Sequence, residues 1–417
     1  MRVVMFLPHL GVTGGLGVHC RALLEALATC GEDEGLKLDV ICPDQPRKLF
    51  PLAGLDDTWE ALVRRKNLNL HLIKWPEGLS LADCLDEALL GLVKKLQPEL
   101  FYASYYTGLK DSPCPQAITF HDAGFLEFPD VFGDTASKRR QTLALIGPSV
   151  NRLLCVSSDA RDRICRLLPF AAERTEVVWH ALYDAPATLE KAMELSAIQE
   201  PLWAGGDSAA DWGDYIFLPV GAATGFNRVR KNVPLGVRAF RAVSNRKLKL
   251  VIASTGTLND AMLGQLIDPE EQREGGFGRG IWHSGDGRVL ILPNLDRLPF
   301  LRAMAHAKAV LYPTRYEGFG LPSIEAMALG TPLIAGNATS VPEVVGDAGI
   351  LVPPDDQSGF TSAMEQVFED RKLREALVAR GHERLKLFTP VRMGRRMLEV
   401  FQGLISGVDE VTDCFNS

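Results

Sequence analysis

Short apolar runs rich in β-branched residues alternate along the chain with longer amphipathic stretches. Parallel strands covered on both faces by crossover helices show this pattern, because neither face of such a strand meets water. The first half of the chain predicts strands at Val3–Leu7, Leu38–Cys42, Leu70–Ile73, Leu100–Ala103, Ala117–Phe120, Leu153–Ser157 and Val177–Trp179. The apolar spacing predicts helices over Gly17–Leu27, directly after the first strand, and over Leu81–Leu96.

The alternation stops between residues 188 and 214, which we interpret as a linker between a first domain, residues 1–187, and a second, residues 215–388. It resumes with predicted strands at Ile216–Val220, Leu250–Ala253, Val289–Leu292, Val310–Tyr312, Leu333–Ala335 and Ile350–Val352. The expected fold class is therefore α/β, with two doubly wound parallel sheets.

The end of the chain predicts helices over about Arg371–Leu387 and Val391–Leu404. The stretch Thr255–Gly287 contains four glycines between residues 275 and 280 and is longer than an ordinary connection. We expect it to be a mobile loop.

Composition narrows the class of protein. A chain of 417 residues that is 46% hydrophobic and 23% charged can bury the cores of two or three domains. Its net charge of −7 argues against a general nucleic-acid binder, which needs clustered Lys and Arg. The eight scattered cysteines show no zinc-site spacing, which favours a reduced, cytoplasmic compartment. The apolar run Arg2–Pro8 is expected to be a buried strand rather than a signal peptide.

A glycine loop, Gly11–Gly17, follows the first predicted strand and precedes a helix. Such a loop can turn backbone amides and a helix dipole toward an anion, which makes Gly14 and Gly15 candidate ligand-binding residues. The dinucleotide pattern GxGxxG does not fit, because Cys20 stands where its third glycine would fall. A tight turn without a ligand is the structural alternative.

The segment Tyr312–Glu325 follows another predicted strand. Gly318 and Gly320 free the backbone to approach a ligand, Pro322 suits the first position of a helix, and Gly330 suits its end. The carboxyl ends of parallel strands are where ligands bind in such sheets. The sequence therefore predicts a binding loop here.

Two carboxylates in this segment have different predicted settings, Glu317 in the loop and Glu325 in the first helical turn. Carboxylates accept hydrogen bonds from sugar hydroxyls, and free amides at a helix start suit a phosphate. One segment could therefore hold both ends of a sugar nucleotide. The alternative is that Glu325 only stabilises the helix dipole while Glu317 is solvated.

The run E-G-F-G-L-P-S-I-E-A-M-A-L-G-T-P, which begins at Glu317 and places Glu325 eight residues later, resembles the E-x7-E signature of the retaining glycosyltransferases of family 4. The likeness extends over residues 340–349 and 351–354. It implies the GT-B fold: two facing Rossmann-like doubly wound domains with a cleft between them. It also implies that a C-terminal helix, residues 389–410, packs back on the first domain.

The resemblance implies transfer of a hexose, of the mannose or glucose type, from a UDP- or GDP-type sugar to a saccharide or lipid-linked acceptor. Configuration would be retained, with no metal or other cofactor, and the context would be polysaccharide biosynthesis. The alternatives are a sugar-nucleotide epimerase or phosphorylase of the same fold, or an inactive protein that binds nucleotide sugars.

Site roles follow from the same resemblance. Glu317 would hold hydroxyls of the transferred sugar as a catalytic residue, and Glu325 would hold the ribose. The donor site would also include the backbone of residues 318–321, namely Gly318, Phe319, Gly320 and Leu321, and the amides of Gly14 and Gly15.

Arg230 and Lys231 follow a predicted strand and precede a helix, where two cations can meet a diphosphate. The family uses an Arg and a Lys in this way. Because the preceding loop is long, Arg228 is an alternative to Arg230, and a solvated basic turn is the structural alternative.

His121 ends a predicted strand and would by itself be a structural hydrogen bonder as readily as a catalytic group. Family members commonly carry a histidine here that contacts the transferred sugar or its phosphate, so we assign His121 as a catalytic candidate. His9, His19 and His180 are weaker candidates. His180 stands where the family usually has an Asn-Gly turn.

The residues that would bind the acceptor carry no specific motif. Four aromatic residues could stack on sugar rings or simply pack: Tyr105, Tyr106, Phe125 and Phe128. The basic runs Arg64–Lys66 and Lys138–Arg140 could touch anionic lipid in a peripheral membrane contact or form solvated faces. No nucleic-acid partner is expected.

Overall fold

The computed structural model describes residues 1–10, 15–43, 64–73, 87–182, 189, 192–194, 209–220, 230–253, 267, 276–278, 281–292 and 295–407. The chain divides into two compact units. The first unit comprises Met1–Tyr183 together with Thr389–Ser417, and the second comprises Asp184–Phe388.

The first unit contains a seven-stranded sheet in the order β3-β2-β1-β4-β5-β6-β7. Its strands are β1 (Arg2–Phe6), β2 (Lys37–Pro43), β3 (Leu68–Ile73), β4 (Leu100–Ala103), β5 (Gln116–Phe120), β6 (Arg152–Cys155) and β7 (Thr175–Val177). All the pairings between these strands are parallel, as the apolar runs predict.

The helices of this unit are α1 (Gly15–Cys30), α2 (Glu87–Leu96), α3 (Gly124–Glu127), α4 (Pro129–Phe132), α5 (Asp134–Ile146), α6 (Ser158–Leu167) and, from the C-terminal segment, α13 (Pro390–Ser406). The apolar face of α13 packs with α1 in one buried cluster that includes Met397 and Phe401. Gly394 permits the close approach, since a Cβ there would lie 2.8 Å from the Ala26 carbonyl oxygen. Arg396 also pairs with Glu176 at 2.7 Å.

The second unit contains an eight-stranded sheet in the order β10-β11-β12-β9-β8-β13-β14-β15. Its strands are β8 (Tyr215–Pro219), β9 (Lys249–Ala253), β10 (Gly276–Gly278), β11 (Ile281–His283), β12 (Val289–Leu292), β13 (Ala309–Tyr312), β14 (Leu333–Gly336) and β15 (Gly349–Val352). Strands β8, β9 and β12 to β15 pair in parallel, which confirms the α/β class.

Strands β10 and β11 lie inside the stretch Thr255–Gly287, which the sequence predicts to be a loop throughout. They pair antiparallel with each other, and β11 pairs antiparallel with β12. Each is three residues long, too short to display a periodicity. Burial of Ile281 and Trp282 holds β11 against the sheet.

The helices of the second unit are α7 (Val233–Arg241), α8 (Arg297–His306), α9 (Leu321–Ala328), α10 (Val341–Val345), α11 (Gln357–Glu369) and α12 (Arg371–Leu385). In the segment predicted to be a linker, residues 189 and 192–194 are helical and Ala209–Trp212 forms a 3₁₀ turn. Of the predicted helix Leu81–Leu96, residues 81–86 lie outside the described part of the chain.

We expect Gly336→Ala to destabilise the second unit. A Cβ at Gly336 would lie 2.1 Å from the Thr314 carbonyl oxygen, so β14 and the neighbouring loop must separate. The overpacking cost should be about 1–3 kcal/mol or more, seen as a lower unfolding midpoint by calorimetry.

The matched control is Gly91→Ala in α2, where an added Cβ meets nothing within 4 Å in the described part of the chain. It should stabilise that helix by roughly 0.5–1 kcal/mol. Equal midpoints for the two variants would contradict the close approach at Gly336.

Candidate functional site

Three loops meet at the carboxyl edge of the second sheet because β8, β13 and β14 are neighbours in it. The segment after β8 ends in Arg230 and Lys231, the loop after β13 carries Glu317, and the loop after β14 carries Thr339 and Ser340. Topology therefore brings together residues that are up to 110 positions apart in the chain.

Glu317 lies between the two cations. Its Oε2 accepts a hydrogen bond from Arg230 Nη1 at 2.5 Å, and its Oε1 lies 2.9 Å from Lys231 Nζ. Thr314 Oγ1 donates to the same Oε1 at 3.0 Å. Both Lys231 and Glu317 are buried, with 7% and 6% of their surface exposed.

The surrounding backbone fixes this arrangement. Ser340 Oγ donates to the Glu317 carbonyl oxygen at 2.9 Å, and the Glu317 amide donates to Thr339 Oγ1 at 2.9 Å. Asn232 adopts a left-handed conformation with φ of 51° before α7. Its side-chain amide donates to the carbonyl oxygens of Pro313 and Pro354 at 3.0 and 2.7 Å. These bonds tie the cation pair to the loop that carries Glu317.

The charges of the cluster set its protonation. Burial alone would raise the pKa of Glu317, but the charges of Arg230 and Lys231 outweigh it and lower the pKa from 4.5 to about 2. The pKa of Lys231 is lowered, chiefly by burial, although Glu317 opposes the shift. Lys231 Nζ also donates to the Tyr312 hydroxyl at 3.0 Å. Glu317 is therefore an ionised acceptor at neutral pH.

Glu325 occupies a different setting from the predicted one. Helix α9 begins at Leu321, so Glu325 is its fifth residue and lies beyond the first turn, and Pro322 is the second helical residue rather than the first. Glu325 is buried, and its Oε1 accepts from Arg297 Nη2 at 2.7 Å. An arginine thus balances its charge, and Glu325 is not placed in the first turn to interact with the helix dipole.

The loop between the two carboxylates is anchored by its own residues. Gly320 has φ of +94°, a conformation that favours glycine, immediately before α9. Phe319 is buried and packs edge-on against Phe388, with ring centroids 5.6 Å apart. Gly318 is also buried, and Leu321 is partly exposed.

In the first unit, His121 follows β5. Its Nε2 lies 2.8 Å from the Ser104 carbonyl oxygen, and its Nδ1 lies 3.4 Å from His180 Nε2. His19 packs edge-on against both rings. Burial lowers the pKa of all three imidazoles, so they are neutral at pH 7. The sequence treats His19 and His180 as isolated weak candidates, whereas the structure groups them with His121.

The four aromatic candidates differ in their burial and in their contacts. Phe125 is fully buried and packs, whereas Phe128 is 40% exposed. The rings of Tyr105 and Tyr106 are tilted by 35° with centroids 3.7 Å apart, and a short hydrogen bond joins their hydroxyls. The Arg139 guanidinium lies 4.8 Å from the centre of the Tyr106 ring.

In the basic run Lys138–Arg140, two of the three residues make contacts within the first unit. Besides the ring contact of Arg139, Arg140 donates to the Leu126 carbonyl oxygen at 2.8 Å. In the run Arg64–Lys66, Arg65 pairs with Glu32 at 3.3 Å.

Of the two candidates in the glycine loop, the structure describes only Gly15. Gly15 is the first residue of α1. Gly14 and Arg228 lie outside the described residues.

Two residues that contact the carboxylates belong to no motif that the sequence analysis recognised. Arg297 pairs with Glu325 across 28 positions, and Thr314 contributes a hydroxyl to Glu317. A search for a cation among the residues that begin neighbouring helices could have found Arg297.

Sequence profiles of two glycosyltransferase groups match the chain. Residues 13–182 match Glycosyltransferase Family 4, and residues 218–370 match Glycosyl transferases group 1. Together with the two parallel-sheet domains, these matches define a glycosyltransferase of the GT-B fold. Within this class, the chain combines a Glycosyltransferase Family 4 domain with a Glycosyl transferases group 1 domain, which confirms the predicted family.

Two curated relatives act on O-antigen chains according to their names. O-antigen chain mannosyltransferase B of Escherichia coli is 30% identical over 275 residues, which cover 65% of this chain and 66% of the relative. O-antigen chain mannosyltransferase RfbU of Salmonella typhimurium is 25% identical over 255 residues, which cover 60% of each chain. Both matches thus span less than two thirds of the relative's length.

Among solved structures, HepE of Anabaena in complex with UDP and glucose is similar over 97% of this chain and 100% of its own. The TM-score is 0.63 at 15% sequence identity, so the likeness concerns the fold. Among the described residues, no helix combines the length and apolar character needed to cross a membrane.

We expect Glu317→Gln to destabilise the second unit by roughly 3–5 kcal/mol at neutral pH, because it leaves the buried Lys231 and the partly buried Arg230 without their counter-charge. Since the pKa of Glu317 is about 2 in the folded chain against 4.5 ordinarily, its ionised form stabilises the fold fully above pH 4.5. That contribution is lost as the pH falls toward 2.

The difference in unfolding free energy between the wild type and Glu317→Gln should therefore narrow by roughly 1.4 kcal/mol for each pH unit below 4.5. Denaturant titrations at pH 7, 5 and 3 measure it. A difference that stays constant over this range would show that Glu317 does not carry the charge assigned to it.

Proposed function

We propose that the protein transfers a hexose from a nucleoside diphosphate sugar to a saccharide or lipid-linked acceptor, with retention of configuration at the anomeric carbon. The observation that carries this proposal is the buried group formed by Arg230, Lys231 and Glu317 at the carboxyl edge of the second sheet.

The charge of this group supports a diphosphate ligand. Two cations and one carboxylate leave a net charge of +1 in a buried setting when Lys231 is protonated. Buried charge is costly unless a counter-ion meets it, and a diphosphate supplies that charge. Arg230 offers a planar set of donors and Lys231 a compact charge, which together suit phosphate oxygens. In this role the amides of Gly14 and Gly15 add further donors.

The two carboxylates serve the two sugars of the donor. Glu317 is ionised, and each carboxylate has about four lone-pair sites, so it can accept from hydroxyls of the transferred hexose as well as from its cations. Glu325 is held at one oxygen by Arg297 and binds the ribose hydroxyls. The turn through Gly318, Phe319, Gly320 and Leu321 fixes the spacing of these two acceptors.

In the transfer step, the bond from the anomeric carbon to the diphosphate oxygen breaks and a bond from that carbon to the acceptor oxygen forms. The acceptor's proton passes to an oxygen of the departing phosphate. Negative charge grows on the leaving group, and Arg230 and Lys231 stabilise it, an effect that can amount to several kcal/mol in a dry site. The step requires no metal ion.

His121 contributes from the first unit. A carbonyl oxygen only accepts, so the hydrogen bond with Ser104 places the proton of the neutral imidazole on Nε2. Nδ1 is then the nitrogen that accepts from the transferred sugar.

The relatives favour mannose, since both are named as mannosyltransferases, while the UDP and glucose bound by HepE keep a glucosyl donor open. We propose a donor of the UDP or GDP type, with polysaccharide assembly as the context. The protein acts in the cytoplasm, with peripheral membrane contact where the acceptor carries a lipid.

A thermal-shift screen against UDP, GDP and ADP sugars should identify the donor, because a ligand that binds the folded state raises the unfolding midpoint. Lys231→Ala should abolish the shift. Lys308→Ala, which removes an exposed lysine paired with Asp214 at 3.0 Å, is the matched control and should keep it. An unchanged shift in Lys231→Ala would remove Lys231 from the donor site.

Nucleotide release should depend on added acceptor, and the product should keep the anomeric configuration of the donor in proton NMR spectra. Conversion of the donor without acceptor would indicate an epimerase. Donor binding without turnover would indicate a binding protein. An inverted product would contradict retention.

A further inference from the structure

Three histidines of the first unit bring their ring nitrogens together. His19 lies in α1, His121 follows β5 and His180 follows β7. One ring nitrogen from each forms a group in which all separations are within 4.8 Å. The rings of His121 and His180 are stacked with centroids 5.3 Å apart, and that of His19 stands edge-on to them at 4.8 and 4.3 Å. The arrangement is a cluster of three imidazoles.

Hydrogen bonding orients one of these ligands. Because Ser104 O holds the proton on His121 Nε2, His121 Nδ1 presents a lone pair to the group. A backbone carbonyl that fixes the tautomer in this way is the usual partner of a histidine that binds a metal.

The spacing of two of these nitrogens also fits a shared metal ion. His121 Nδ1 and His180 Nε2 are 3.4 Å apart, which is long for a hydrogen bond between them. Two nitrogens bound to one tetrahedral zinc at about 2.0–2.1 Å are separated by roughly 3.3–3.4 Å. The observed distance therefore matches two ligands of a shared ion.

His19 provides evidence for a bound ion that is independent of the distance between His121 and His180. Only 6% of its surface is exposed, and neither of its ring nitrogens has a hydrogen-bond partner among the residues that the structure describes. A buried polar atom without a partner is costly and calls for an explanation such as a bound ion. The position of His19 beside both other rings puts one of these nitrogens within reach of the same ion.

We propose that His19, His121 and His180 bind one divalent transition-metal ion of the zinc type. Three neutral imidazoles leave a fourth, open position in a tetrahedral site.

One consequence rests on the proposed function. The nitrogen that His121 offers to the sugar, Nδ1, is the nitrogen that the ion would take. Occupancy of the metal site and contact with the transferred sugar are therefore mutually exclusive. Zinc should inhibit transfer, whereas a chelator should leave it intact.

The test uses the full-length protein, stripped with a chelator, and no sugar donor. Zn²⁺ titrated in competition with a chromophoric chelator should bind with one equivalent per chain. His19→Gln and His180→Gln should each weaken this binding at least about 100-fold. His9→Gln, which changes a neighbouring histidine outside the group, and His382→Gln, which changes an exposed histidine of the second unit, should leave it unchanged.

A spectrum of the Co²⁺-loaded wild type covers the case in which a variant does not fold. Intense visible absorption without a thiolate charge-transfer band is expected, since the ligands are nitrogens and the free cysteines take no part. Absence of stoichiometric binding, a thiolate band, or undiminished binding in His19→Gln would overturn the proposal. None of these readouts requires transferase activity, so a failure of the metal-site proposal can be distinguished from a failure of the proposed function.

Discussion

The ion-pair group of Glu317 with Arg230 and Lys231 is the constraint on which the rest of the second unit's site depends. Lys231 is buried and Arg230 partly buried there, and a single carboxylate offsets half of their charge. Such a group is stable only if every member is held in place, and Thr314, Ser340 and Asn232 supply the hydrogen bonds that do so. The same group is left with a surplus positive charge, which is the basis for binding a diphosphate.

The carboxylates differ in what stabilises them, and this separates their roles. Glu317 shares its cations with the ligand that we propose, so donor binding changes its surroundings. Glu325 pairs with Arg297, which belongs to α8 and is not one of the two cations that contact Glu317. Its charge is therefore balanced whether or not a nucleotide is bound, as suits a residue that only positions the ribose.

The parallel strands could be predicted because burial on both faces leaves a continuous apolar run in the sequence. Strands β10 and β11 could not, because three residues carry no period and glycines dilute the apolar signal. Glu317 and Lys231 were predicted from motifs, whereas Arg297 has no motif and is recognised only by its distance to Glu325. The three histidines were named only as separate candidates, because they come from α1 and from the ends of two strands and no sequence spacing shows that they lie together.

Calorimetric binding of the nucleoside diphosphate and of its sugar to the wild type and to Glu317→Gln tests the central claim most directly. Glu317 should contribute to the affinity for the hexose, and not to the affinity for the diphosphate, which Arg230 and Lys231 bind. Removing its charge should therefore leave the diphosphate bound at least as tightly, while the added affinity conferred by the hexose disappears. A variant that lost the diphosphate and the sugar nucleotide to the same extent would contradict the account.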